Sequence, residues 1–231
     1  MNSDKKIEHI SNWIKEYISS LNFQSPSLII GVSGGIDSAV TSTLCCKTGF
    51  RTIAVSMPIK QNALQHDLSL KHLDWLNANF NNVDTMIIEL DDVFKSFEKT
   101  MTDFNNKLAF ANSRSRLRMV TLYQIAQANN GIVVGTGNKV EDFGVGFYTK
   151  YGDGGVDILP IADCTKTQVW EMGSKMSIIQ DIIEAKPTDG LWNDNRNDED
   201  QIGLTYEQIE EAMINPNNKN YKKYLKIREP N

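Results

Sequence analysis

The chain has only three cysteines and three histidines among its 231 residues. Cys45, Cys46 and Cys164 form no C-x-x-C pair and leave an odd thiol, which excludes a disulfide framework and fits a reducing compartment. Cys45 and Cys46 are adjacent and would point to different faces of a helix, as packing residues rather than ligands. His66 and His72 lack the i,i+4 spacing of a helical metal site, and both are expected on a solvated helix face. No apolar run approaches the ~20 residues needed to span a bilayer. The polar segment after Met1 has no signal-peptide core, so the expectation is a cytoplasmic protein with no membrane partner. Basic charge is not in excess either: 24 Lys and Arg against 29 Asp and Glu leave a net charge of −5, and no nucleic-acid partner is expected. Repeats and low-complexity tracts are missing. With 40% hydrophobic residues, the length suits one α/β domain over residues 1–231.

Apolar runs at 27–32, 52–57, 85–90 and 132–134 read as short buried strands. Ile10, Trp13, Ile14, Tyr17, Ile18 and Leu21 recur at helical spacing before the first run. Stretches 63–80, 92–104 and 114–129 do so later, with Leu64, Leu68, Leu73 and Leu76 on one face. Strands alternating with helices predict an α/β fold, a doubly wound parallel sheet with helices on both faces. Ligands of such sheets bind beyond the carboxyl ends of the strands, where the turn after the first strand and the turn Gly135-Thr136-Gly137 should both fall.

The first of these turns reads Ser33-Gly34-Gly35-Ile36-Asp37-Ser38 and leads into the helix-like stretch 39–47. Gly34 and Gly35 lack Cβ atoms and let the backbone approach an anion, while the helix start offers unpaired N–H donors and Ser33 and Ser38 add hydroxyls. Asp37 is out of place beside phosphates unless a hard divalent cation lies between them, so the motif suggests a Mg2+-bound nucleotide. The Gly-Lys-Ser/Thr ending of a Walker loop is absent. The same residues, from Gly31 to Gly35, also fit G-x-S-x-G, the nucleophile elbow of α/β-hydrolases, but that fold places its histidine late and none follows His72. A plain glycine turn between strand and helix is the third reading.

Segment 144–157 is glycine-rich and segment 186–203 is acidic, with Asp189, Asp194, Asp198, Glu199 and Asp200. Both are candidates for active-site covers, or for solvated connections. A helix is expected over 205–213, capped by Thr205 with Gln208 three residues on. The basic, apolar-interleaved stretch 219–228 reads as an amphipathic helix packed on the sheet or as an arm touching phosphates.

Gly31-Val32-Ser33-Gly34-Gly35-Ile36-Asp37-Ser38 resembles the pyrophosphate loop of the N-type ATP pyrophosphatases, which have the adenine nucleotide alpha hydrolase-like fold. Within that group, segments 112–119, 135–142, 147–157 with Pro160, and 186–192 with 198–200 are similar to ammonia-dependent NAD synthetase, in order over nearly the whole chain. The resemblance implies that the carboxylate of deamido-NAD attacks ATP to give an adenylate, from which ammonia displaces AMP. It also implies roles for residues. Gly31, Ser33, Gly34, Gly35, Ile36, Asp37 and Ser38 would hold ATP at its pyrophosphate, and Thr136, Lys166 and Thr188 would contact ATP as well. Asp37 and Glu141 would bind Mg2+, Arg116, Lys150 and Asp157 would hold deamido-NAD, and Asp37 and Lys166 would serve catalysis. Read without the family, Glu141 is also a helix-dipole partner and Arg116 a surface arginine. A homodimer is implied too. No amidase segment stands within the chain, so ammonia is expected free or from a separate partner. Two departures stand out. Residues 220–223 are Asn-Tyr-Lys-Lys where the family carries a His-Lys pair, and the segment after Met57-Pro58 follows the family loosely. The alternatives are a paralogue that adenylates and amidates another carboxylate, or a tRNA thiolase that needs its cysteines.

Overall fold

The computed structural model describes residues 2–61, 63–187, 199 and 202–229. Helix α1 (Ser3–Ser20) precedes strand β1 (Ser27–Gly31). The chain then alternates through α2 (Ile36–Lys47), β2 (Arg51–Ser56), α3 (Ala63–Asn79), β3 (Val83–Ile87), α4 (Asp91–Thr100), α5 (Lys107–Ala128) and β4 (Gly131–Val134). The sheet runs β3-β2-β1-β4 with every pair parallel. The chain steps outward from β1 to β3, then returns to pair β4 with the free side of β1. That reversal opens a crevice at the carboxyl ends of β1 and β4. This is the doubly wound parallel sheet that the alternation predicts.

The alternation of side chains along each strand separates two cores. Leu28 and Ile30 of β1 join Ile132 and Val134 of β4 in a cluster covered by α1, α2, α3 and the later helices α6 (Lys166–Lys175) and α7 (Gln180–Glu184). Ile29, between them, faces the other side with Ile53, Val55 and Val133, covered by Phe94 of α4 and by Met119, Leu122 and Ala126 of α5. After β4 the chain forms a π-helix, Lys139–Val145. Asn138 caps it by accepting from the Val140 and Glu141 N–H groups, and Gly146, at φ 73°, ends it in the left-handed conformation that glycine tolerates. Two helices close the chain, Tyr206–Ile214 and Tyr221–Arg228.

The structure amends several expectations. The third strand lies at Val83–Ile87, earlier than 85–90, and it is not buried: as the outer strand beside β2 it leaves Met86 44% and Ile87 53% exposed. Helix α5 begins at Lys107, capped by the Asn106 side chain, so segment 112–119 lies wholly within it. Leu64 is exposed while Leu73 and Leu76 enter the core. The Tyr221–Arg228 helix packs Tyr224 against Tyr206, Ile209 and Val140, and so rests on its neighbouring helix and the π-helix rather than on the sheet. His72 is wholly buried, not solvated. Its Nε2 lies 2.9 Å from the Ser42 Oγ, and its ring stacks on Trp75 at 5.5 Å. A lone α3 histidine cannot be told from a surface one by spacing, because its burial depends on how α3 docks against α2.

Burial pushes the His72 imidazole from its ordinary value near 6.5 down to about 4. The unfolded chain therefore takes up this proton at a higher pH than the native one. Stability from His72 is complete above about 6.5 and is lost as pH falls toward 4, by up to ~3 kcal/mol. Asp142, whose carboxyl burial raises to about 7, acts in the opposite sense over an overlapping range. The comparison is thus between variant and parent: chemical denaturation from pH 7 to 4 should show a flatter acid limb for His72→Gln, and an unchanged slope would refute the assignment.

Candidate active site

The turn after β1 is built from its own hydroxyls. The Ser38 Oγ accepts the Ser33 N–H at 3.2 Å and donates to the Gly35 carbonyl at 2.9 Å, while the Ser33 Oγ accepts the Gly35 N–H at 3.2 Å and lies 3.1 Å from the Ser38 Oγ. Gly34 sits at φ 91°, and a Cβ there would meet the α3 backbone, 2.5 Å from the Gln65 carbonyl oxygen and 2.9 Å from the Ser69 nitrogen. Only glycine lets the turn pass under α3. Gly31 ends β1 and Ile36 anchors the first turn of α2 in the core. Gly35 caps α2 with no side-chain hydrogen bond, which leaves first-turn N–H donors and the positive end of the helix for an anion. The Ser33 hydroxyl pairs with Ser38 and Gly35 rather than with an imidazole, so the hydrolase reading finds no base here.

Asp37, on the first turn of α2, faces Glu141 of the π-helix across the ammonium of Lys166, the first residue of α6. The Lys166 Nζ donates to the Asp37 Oδ2 at 2.5 Å and to the Glu141 Oε1 at 2.7 Å, and Lys166 is only 2% exposed. Local structure brings these distant residues together. The Asn138 side chain that caps the π-helix also donates from its Nδ2 to the Asp37 Oδ1 at 3.1 Å. The Lys139 N–H donates to the Cys164 carbonyl, tying the turn after β4 to the segment that enters α6. The Tyr206 hydroxyl donates to the Glu141 Oε1 at 2.6 Å, and its ring lies 5.1 Å from the Lys166 Nζ. Burial raises the Asp37 carboxyl, and the nearby Glu141 adds to this against the pull of Lys166. Burial also opposes ionised Glu141, but Lys166, Tyr206 and Asn138 together hold its carboxyl below the usual range. Lys166 is desolvated, yet the two carboxylates keep its amine above the ordinary value. The cluster thus sets two carboxyl groups against one ammonium beside the Ser33–Ser38 turn.

Two carboxylates suit the hard, oxygen-seeking Mg2+, which takes one or two of them and completes its shell from phosphate oxygens and water. Among the described residues no group of three or more His, Cys, Asp or Glu is placed to hold a metal ion. Thr136 lies half-buried in the turn after β4. Thr188 lies outside the described residues, as do Asp189, Asp194, Asp198 and Asp200 of the acidic segment.

A second group of side chains lies on α5 and the glycine-rich segment. The Arg116 Nε donates to the Lys150 carbonyl at 3.1 Å, and the Lys150 Nζ sits 5.0 Å above the Tyr151 ring. The Asp157 Oδ2 accepts the Val133 N–H at 2.7 Å and its Oδ1 accepts the Tyr123 hydroxyl at 3.1 Å. Ser115 and Asn112 of α5 pin the same segment through Asp153 and Thr149. Beside it a cavity of about 440 Å³ is lined by Met119, Tyr123, Gln124, Gln127, Tyr151 and Gly155, with Val120. Arg116 is thus joined to Lys150, while Asp157 is held separately by Val133 and Tyr123, and none of these bonds reaches Asp37, Glu141 or Lys166.

Sequence reasoning assigned nothing to Asn138, Tyr206 or Glu210. Asn138 lies within segment 135–142, where its place ahead of a helix start is the available signal. Tyr206 follows the Thr205 cap and reads as an ordinary core aromatic, so only the packed structure shows its hydroxyl on Glu141.

With this geometry in view, comparison with known proteins is informative. The NAD synthase family model matches residues 6–227. The NH(3)-dependent NAD(+) synthetase of Finegoldia magna is 37% identical over 219 residues, 94% of this chain and 87% of that protein. That of Carboxydothermus hydrogenoformans is 36% identical over 220 residues, 93% and 86% of the two chains. Among solved structures, an NMN synthetase from Francisella tularensis superposes with a TM-score of 0.90 at 30% identity, over 100% of this chain and 94% of that one. An NH3-dependent NAD synthetase from Campylobacter jejuni superposes with a TM-score of 0.75 at 25% identity, over 93% and 83%. A buried lysine between two carboxylates beside the Ser33–Ser38 turn, and relatives that align along nearly the whole chain, lead to one conclusion: this chain belongs to the NAD synthase family.

Proposed function

We propose that the chain is a ligase that amidates deamido-NAD with ammonia at the expense of ATP, through an adenylate, releasing AMP and pyrophosphate. The observation that carries this reading is Lys166 held between Asp37 and Glu141 at the mouth of the Ser33–Ser38 turn. The curated relatives, named NH(3)-dependent NAD(+) synthetases, support it. A free carboxylate is a poor acylating agent, so a carboxylate oxygen must first bond to the α-phosphorus of ATP as pyrophosphate leaves. Ammonia then bonds to the acyl carbon, the C–O bond to AMP breaks, and a proton is lost from nitrogen. Charge gathers on the departing pyrophosphate, and donors fixed in advance stabilise it best.

In this reading Gly31, Ser33, Gly34, Gly35, Ile36 and Ser38 shape the cradle for the pyrophosphate end of ATP, with Thr136 and Thr188 as further ATP contacts. Lys166 places its cation against the phosphates. Asp37 and Glu141 would hold Mg2+, which draws charge off phosphate oxygens. Arg116, with its planar fork, suits a phosphate or carboxylate of deamido-NAD, alongside Lys150 and Asp157. Free, buried cysteines accord with a cytoplasmic setting, and among the described residues no helix is long and apolar enough to cross a membrane. The tRNA thiolase reading needs a reactive cysteine. Burial pushes the Cys46 thiol up to about 12, that of Cys45 well above its ordinary value, and that of Cys164 up as well.

A homodimer joined through α5 also belongs to this proposal. Leu108, Val120 and Tyr123 on that helix and Tyr151 beside it expose apolar surface, Val120 to 66%. Sedimentation should give a dimer for the parent and a monomer for Val120→Glu; a monomeric parent would refute the interface.

The deciding assay follows pyrophosphate and the amide product from Mg2+, ATP and ammonium with deamido-NAD or with nicotinate mononucleotide as acceptor, the latter because of the Francisella NMN synthetase likeness. Pyrophosphate and NAD rising together with deamido-NAD are expected. Turnover with the mononucleotide alone would move the function to that acceptor, and turnover with neither would end the reading. In the active system, Asp37→Asn and Glu141→Gln should lower adenylation about a hundredfold or more, while the affinity for deamido-NAD changes by no more than about twofold. Parallel loss of both would contradict a role through the nucleotide.

A further inference from the structure

The Tyr206–Ile214 helix reaches the proposed site twice from one face. Tyr206 is 1% exposed, and its hydroxyl donates to the Glu141 Oε1, the oxygen that also accepts from the Lys166 Nζ. One turn on, Glu210 grips the start of α6: its Oε1 accepts the Thr167 N–H at 3.0 Å and its Oε2 accepts the Thr167 Oγ1 at 2.6 Å. Thr167 directly follows Lys166 and is the second residue of its helix. Residues four apart lie on the same side of a helix, so a single rigid surface holds both the glutamate and the helix start that delivers the lysine. The Tyr206 ring stands edge-on to Trp170, 5.7 Å away, and the two rings lie 5.1 and 6.0 Å from the Lys166 Nζ. Beneath them Val140, Leu204, Ile209 and Tyr224 form a separate small core that seats the helix.

Resting on the function proposed above, we infer that Tyr206 and Glu210 are positioning residues for the adenylation step. Two donors on one oxygen hold the Glu141 carboxylate against rotation and so restrict the direction of its Oε2. Glu210 sets where α6 begins and hence where the Lys166 side chain starts. Neither residue needs to touch the reacting atoms. The helix acts by fixing the geometry of the groups that would, and a displacement of about 1 Å in such groups is costly to rate.

The test uses the full chain and four measurements: kcat for pyrophosphate release, ATP affinity by calorimetry, thermal stability, and the rate at which an amine-acylating reagent labels Lys166, read by peptide mass spectrometry. Tyr206→Phe keeps the ring and removes only the hydroxyl. It should lower kcat about tenfold to a hundredfold, the range of a lost hydrogen bond to a charged group, with ATP affinity within about threefold. Glu210→Gln should lower kcat in the same sense by a smaller factor, and Lys166 labelling should accelerate severalfold in both. Tyr224→Phe alters the same small core without touching Glu141 or α6 and should match the parent throughout. If Tyr206→Phe proves unstable, Glu210→Gln decides by the same readouts. Normal turnover and normal labelling in a folded Tyr206→Phe would overturn the inference, as would an equal loss in Tyr224→Phe, which would assign the effect to packing. An inactive parent with either acceptor would instead defeat the proposed reaction, and the labelling rates would still judge the positioning role.

Discussion

One buried ammonium between two half-buried carboxylates organises this molecule. Desolvating Lys166, Asp37 and Glu141 separately would be prohibitive, and removing any one partner strands charge in a low-dielectric interior. Helix α2, the π-helix and α6 must therefore converge at the carboxyl end of β1 and β4, although the residues they carry lie far apart in sequence. Much of the surrounding detail serves that convergence. Asn138 both caps the π-helix and bonds to Asp37, and the Lys139–Cys164 backbone bond brings the chain back toward α6.

The sheet reversal supplies the place and the cluster supplies the polarity. On one side stand the glycine turn and the amino end of α2, which favour anions. On the other stand two carboxylates sharing a single lysine, which favour a cation. Neither half suits a nucleotide alone: phosphates would be repelled by the acids, and a bare cation would be repelled by the helix end. In the proposed reading a polyphosphate carrying a divalent cation satisfies both, and Asp37 at this turn points to the pair rather than to either partner.

The fold was largely legible because buried strands and amphipathic helices leave strong periodic signals. The four apolar runs are the four strands, and the alternation settles the parallel winding. Boundaries moved where solvent exposure broke the pattern, as at the outer strand, whose Met86 and Ile87 are partly exposed. The turn carrying Ser33, Gly34, Asp37 and Ser38 was legible too, since each residue type has a local physical reason to be there. Glu141 and Lys166 became neighbours only through resemblance, because no periodicity reports a contact across the sheet's end. Tyr206 and Glu210 escaped altogether: a tyrosine in an apolar helix face and a glutamate in a helix have ordinary reasons to be there, and their roles lie in the partners that tertiary packing gives them.

The division of the molecule into a buried cluster and an exposed surface group bears on how such a chain diverges. The Asp37–Glu141–Lys166 cluster is bound by charge pairing and tolerates little change. Arg116, Lys150 and Asp157 are exposed, fixed by bonds to backbone and to Tyr123, and sit on a segment that α5 pins through Ser115 and Asn112. Substitution there costs packing and hydrogen bonds but strands no buried charge. In the proposed reading, activation of a carboxylate by ATP is thereby separated physically from recognition of what the carboxylate is attached to. That separation fits the observation that this one architecture matches proteins named for two amides, NAD and NMN, along almost their full lengths. Differences between such acceptors should be sought around α5 and the segment it holds, where the fold leaves freedom, and not in the cluster on which its electrostatics depend.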